Sequence, residues 1–262
     1  GAHSGAFRDT MMKANLDAIG LGFSITEASN AAFDLSANFG VGFLTASELP
    51  GQLLNTGLAI GLADSEASKL FGTLMSVGNL TADQAERLAE NTYQLAEQNN
   101  VNPVAVMQDM AGSAETIAKF GADNLGSITK AAVQARKLGL NLNTVDKISD
   151  SLLNFQSSIS SEITASLMIG KKLNFQKARE LALTGDLSGM MDNVLKQVGG
   201  EAEFNKLNVL QRKSLAKSLG VEVTEMEKLV SNQGKSVVQQ KAFTDLIGSD
   251  AMSALTSMTN KI

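Results

Sequence analysis

The stretch Leu173–Val230, LNFQKARELALTGDLSGMMDNVLKQVGGEAEFNKLNVLQRKSLAKSLGVEVTEMEKLV, decides the fold. It divides into short helical segments: Asn174 to Leu183, Leu187 to Val198, Glu201 to Asn205, Val209 to Leu219 and Thr224 to Ser231. Gly199 and Gly200 permit a sharp stop. Glu201 and Glu203 then sit near the positive end of the next helix dipole. Nowhere in the chain does a strand-period alternation persist beyond four or five residues. The fold class expected is all-α, a compact bundle or array of short glycine-punctuated helices with no sheet.

The same punctuation runs outward through the chain. Gly22 leads to Thr26 in GFSIT, Gly61 to Ser65 in GLADS, Gly139 to Asn143 in GLNLN, and Gly220 to Thr224 in GVEVT. A glycine can take the left-handed conformation that ends a helix. The polar residue four positions on is the expected cap of the next helix. The first two of these glycines stand about 40 residues apart, and the third follows at twice that interval, near the period of stacked helix pairs. Asn100 takes the glycine place in the wider gap, followed by Asn102 as cap and Pro103 at the first helical position. The intervening match is weak, so the recurrence reads as a shared turn habit rather than a true repeat.

Further helices are expected at Phe7–Ile19, Thr26–Phe39, Asp64–Val77, Pro103–Phe120 with a break at Gly112, Ile128–Leu138, and one long run Asn143–Lys172. Thr81–Gln98 is the best-defined of them. Its TADQ start is a capping box in which Thr81 and Gln84 satisfy each other's backbone.

Composition limits function. The chain has no cysteine, no tryptophan, two prolines, and a 44% apolar fraction, enough for a real core. Its single histidine, His3, stands in a Gly-Ala-His-Ser opening that reads as an expression scar or fragment start over residues 1–6. Without cysteine or a second histidine, the common nucleophile–imidazole arrangements cannot be built. The net charge of −5 is unevenly spread. Residues 1–120 carry five Lys and Arg against thirteen Asp and Glu; residues 121–262 carry seventeen against fourteen. Three parts follow: an acidic helical part over 7–120, a mildly basic part over 121–234, and a peripheral helix and tail over 235–262. No run reaches the roughly 18 apolar residues of a membrane helix. The nearest approach, Phe39–Ala63, is interrupted by Glu48, Pro50, Gln52 and Asn55, and reads as a buried hairpin.

Lys177–Leu181 (KAREL), Gly185–Leu187 (GDL), Val198–Asn205 (VGGEAEFN) and Leu207–Gly220 (LNVLQRKSLAKSLG) carry a resemblance. Together they resemble a segment of phage tail tape-measure proteins, most strongly over Leu173–Val230. The resemblance implies a structural role in a virion rather than catalysis. Such a protein templates tail length, contacts the baseplate hub and tail tube, and assists DNA ejection. It would self-associate as a trimer or hexamer. Its place would be the tail lumen or tail tip, and the host cytoplasm during assembly. The short helices and lack of sustained heptads point to a compact portion, not the extended spacer.

The candidate protein interface is Met190 and Met191, adaptable packing residues after the GDL turn, with the basic cluster Lys206, Arg212, Lys213 and Lys217. Lys213 and Lys217 share a helix face and suit an acidic tail or hub protein. No aromatic residues interleave with these cations, so base stacking and sequence-specific nucleic-acid recognition are not expected. No cofactor, metal or catalytic residue is expected. A carboxylate pair drawn from Glu48, Glu162, Glu180 or Glu203 would be needed for glycoside hydrolysis, and each stands in an ordinary helical or capping context. Two other readings compete: a generic helical scaffold module, and a membrane-active segment at Phe39–Ala63 aiding genome passage.

Overall fold

Local capping builds the helices, and their order builds a stack. The computed structural model describes residues 12–13 and 16–233, and the expectations for residues 1–11 and 234–262 lie outside it. Residues 16–20 form helix α1, and residues 12–13 are helical ahead of it. Then come α2 (Ile25–Ala37), α3 (Phe43–Glu48), α4 (Pro50–Ala59), α5 (Asp64–Ser76), α6 (Ala82–Gln98), α7 (Pro103–Gly112) and α8 (Ala114–Phe120). After a 3-10 turn at Ala122–Asn124 come α9 (Leu125–Lys137), α10 (Leu142–Leu153), α11 (Phe155–Ile169) and α12 (Gln176–Leu183). The series closes with α13 (Leu187–Val198), α14 (Glu201–Asn205), α15 (Val209–Ser218) and α16 (residues 223–233). The described residues contain no strand, and the protein is all-α.

The recurrence of glycines is a true repeat. Helices α2, α5, α7 and α10 begin at Ile25, Asp64, Pro103 and Leu142, separated by one constant interval. Helices α4, α6 and α9 end at Ala59, Gln98 and Lys137, with the same step. The turn between units is identical each time. Gly22, Gly61, Asn100 and Gly139 take positive φ of 93°, 82°, 55° and 73°. The next residue, always apolar and buried, donates its N–H five residues back. These bonds run Phe23 to Ala18, Leu62 to Gly57, Val101 to Ala96 and Leu140 to Ala135, at 2.8–2.9 Å. This is a Schellman closure, which satisfies the terminal carbonyls of the outgoing helix. The cap therefore stands two residues after the glycine, not four: Ser24, Asn102 and Asn141 accept the free N–H groups. One extended residue suffices to leave the turn, and placing the cap later would leave that apolar residue in water.

The units stack side by side as two layers. The first helices α2, α5, α7 and α10 form one row, and the second helices α4, α6 and α9 form the other. Small residues make the approach possible. A Cβ added to Gly57 would lie 2.4 Å from the Ala67 Cβ, so α4 and α5 cross nearly backbone to backbone. Polar ties join successive units. Glu86 accepts from Gln52 and Thr56 between α4 and α6, Gln108 donates to Glu66 between α5 and α7, and Lys119 on α8 meets Asp146 and Asp150 on α10.

The fourth unit departs from the pattern. Asn154 ends α10 and caps α11 through Ser157 N–H, so the expected single run Asn143–Lys172 is two helices. Helix α11 leaves the stack and packs on α15. The hairpin α12–α13 takes the next place, α12 against α10 and α13 against α9. One apolar core runs from Leu35 to Val230, so the charge change near Gly121 falls inside a continuous body.

Candidate interaction surface

The residues singled out from the sequence separate into core and surface. Met190 and Met191 are fully buried and offer no interface. With Leu187, Val194, Leu195 and Val198 they make the inward face of α13, spaced three and four apart, which fixes them to the core. Arg212 is a structural cation: it lies 5.0 Å from the Phe204 ring centroid and donates to the carbonyls of Leu207 and Asn205. It thereby closes the end of α14 onto α15. Lys206, Lys213 and Lys217 are exposed and enter no ion pair among the described residues.

A surface that the sequence reading passed over lies on α11. Phe155, Ile159, Ile163 and Leu167 follow one another at four-residue steps and are 46–79% exposed. Four-residue steps place them on one ridge of the helix. The only charge on α11 is Glu162, which lines a groove beside Phe155 and Ile159 and is paired there with Arg179 at 2.5 Å. The four ridge side chains are apolar, and the charge beside them is tied up in the Glu162–Arg179 pair. The groove, of about 470 Å³, is lined by Phe155 and Ile159 together with Arg179, Glu180 and Leu183 of α12. At the far end Gln211 donates to the Met168 carbonyl at 2.8 Å and brings the start of α15 alongside. There Val209 and Leu210 are 67% and 65% exposed. Lys213 follows Val209 by one helical turn and Lys217 by two, so the apolar ridge grades into the basic face. The middle of α11, SSISSEI, hid this ridge by its weak helix propensity; the spacing of the four large residues was its signal.

A second concavity, about 540 Å³, lies where α6, α9 and α13 meet. Lys130, Lys137 and Lys196 line it and form no ion pair among the described residues, while Asp192 is bound by Gln134 at 2.6 Å. Its lysines suit an acidic segment.

Of the carboxylates considered for hydrolysis, Glu162 and Glu180 line one groove, and each is held by a cation. Glu162 accepts from Arg179 and the Phe175 N–H, Glu180 pairs with Lys177, and Glu203 pairs with Lys171. No group of three or more His, Cys, Asp or Glu among the described residues is placed to hold a metal. Phe39–Ala63 forms α3 and α4 with Pro50 at the junction, and Ala46, Leu53 and Leu54 lie in the core. No helix of the described residues is long and apolar enough to cross a membrane.

No protein-family model, curated protein or solved structure matches this chain.

Proposed function

We propose that the protein is a structural module of a phage tail, part of a tape-measure protein, acting through protein–protein contacts rather than catalysis. The KAREL to LNVLQRK wording over Leu173–Val230 supports the family reading. The observation that carries the contact reading is the exposed apolar ridge of Phe155, Ile159, Ile163 and Leu167, grading into Val209, Leu210, Lys213 and Lys217. Exposed apolar surface bordered by charge is the ordinary form of a docking site. An acidic hub or tube protein would meet the lysines, and its apolar residues would cover α11. Self-association as a trimer or hexamer uses the same ridge. The competing reading is a general helical scaffold, which the two-layer stack alone also supports.

The test is light scattering of the protein alone and mixed with hub or tube protein. The proposal expects a defined oligomer or a stable complex, lost in Ile163→Asp. That residue is 55% exposed, so the substitution should leave the melting temperature nearly unchanged. A monomer that ignores both partners would sink the tail assignment and leave the scaffold.

A further inference from the structure

The repeat shows which surfaces should be covered, because equivalent positions can be compared along the stack. The place of Phe33 in the second and third units is held by Gly72 and Ala111, both buried, and in the fourth by Asp150, which is exposed but pairs with Lys119 of the preceding unit. Gly72 lies so close to the preceding unit that an added Cβ would sit 2.3 Å from the Phe39 ring. The place of Leu21 is held by Ile60 and Leu138, both buried, and by the half-buried Asn99. In the first unit both positions are open: Phe33 is 65% exposed and Leu21 46%, with Ile25 and Leu16 exposed beside them.

Helix α1 explains the difference. Ala18 falls one repeat before Gly57, and its carbonyl accepts the same turn-closing bond from Phe23. Its packing is also that of a second helix, since a Cβ on Gly51 of α4 would lie 3.3 Å from Leu21 and 3.4 Å from Ala18. So α1 is the second helix of a preceding unit. In register, that unit's first helix would begin one full repeat before Ile25, upstream of Gly1. Repeat arrays end in units with polar outer faces. Among the described residues this end exposes Leu16, Leu21, Ile25 and Phe33, whereas the other end is closed by α12 and α13.

We infer that the α1–α2 face seats the first helix of a further unit of the same length, supplied by upstream chain in the intact protein. The occupant is an amphipathic helix with the pattern of α2 and α5. Its apolar side covers Phe33, Leu21 and Ile25. The inference rests on the repeat and stands apart from the tail assignment.

The test extends the full chain by a copy of residues 62–78, which carries α5 with its cap, fused directly ahead of Gly1 so that the added helix starts one repeat before Ile25. The extended protein is expected to keep the oligomeric state of the parent. Amide exchange over residues 28–36 should slow at least tenfold, and Tm should rise by roughly 5 °C. Phe33→Asp in the extended chain should cancel the rise while shifting the unextended chain little, because Phe33 is exposed there. Phe33→Ser serves as a milder second variant. An unchanged Tm with unchanged exchange would overturn the inference. So would a dimer of the unextended chain that Phe33→Asp dissociates, since a second copy would then be the occupant.

Discussion

Arg179 of α12 reaches Glu162 of α11 at 2.5 Å and donates through Nε to Ser158 Oγ at 3.0 Å. Glu162 also accepts the Phe175 N–H, which starts α12. The arginine of KAREL thus anchors the departing helix α11 to the stack, and both charges are largely withdrawn from water.

Arg179→Ala should therefore be severe. Removing one partner of a buried pair strands the other, at a cost of roughly 3–5 kcal/mol. Urea unfolding would measure it. Adding Glu162→Leu should restore much of the loss; a double variant no better than the single would show that packing, not charge, holds α11.

Asp109 breaks the repeat in a different way. Its place in the other units is apolar: Ala31, Leu70 and Ile148. Here it grips Arg136 by two bonds of 2.6 and 2.7 Å and accepts the Leu142 N–H. Asp109→Leu alone should cost about 1–3 kcal/mol. Asp109→Leu with Arg136→Leu, matching Leu58 of the first unit, should recover most of it in thermal melts.

The inter-unit turn gives two substitutions of opposite sign. Gly61→Ala puts a side chain at φ +82°, with its Cβ 3.1 Å from Val104, and should destabilise by about 1–2 kcal/mol. Asn100→Gly relieves the left-handed conformation of the one unit that lacks the glycine and should stabilise by roughly 0.5 kcal/mol. Equal signs in chemical denaturation would contradict the equivalence of the two turns.

Acid should loosen the start of α2. The backbone N–H of Ser24, and then its hydroxyl, hold the Glu27 carboxyl below its ordinary value of 4.5. A depressed folded value means the stabilisation is present above 4.5 and is lost as pH falls through the folded value. Glu27→Gln keeps a cap but does not titrate, so its Tm should depend less on pH below 4.5 than that of the parent. At the alkaline end, burial pulls Lys119 down, but hydrogen bonds and charge from Asp150 and Asp146 outweigh it and raise it above 10.5. That contribution is complete below 10.5 and lost as pH climbs through the raised value. Lys119→Met should flatten that limb.

Much of this was legible in the residues. The Thr81–Gln84 capping box is present as expected, with Thr81 accepting at 3.3 Å and Gln84 at 2.9 Å. The stop at Gly112 came out one residue later, at Ser113, whose hydroxyl turns back to the Asp109 carbonyl. The repeat was harder to see because its equivalent positions agree in size and burial rather than identity: Ala28, Ala67, Val106 and Val145 are all buried. Asn100 was legible in the glycine place, as a residue that also tolerates positive φ, but one matching turn did not make the intervening unit recognisable. The burial of Met190 and Met191 could have been read from their spacing with Leu187 and Val194. What no local pattern supplied was the departure of α11, which depends on Arg179 and Ser158 meeting across 21 residues.

A stack whose units touch only their neighbours responds to tension in sequence. Pulled from the α1 side, it would come apart by peeling, with each detached unit releasing about 130 Å of extended strand. The resisting bonds are those between adjacent units, Glu86 to Gln52, Gln108 to Glu66 and Lys119 to Asp146, and they would be loaded one after another. Force would thus meet a ladder of similar small barriers rather than one large one, so the stack would lengthen stepwise under a steady pull.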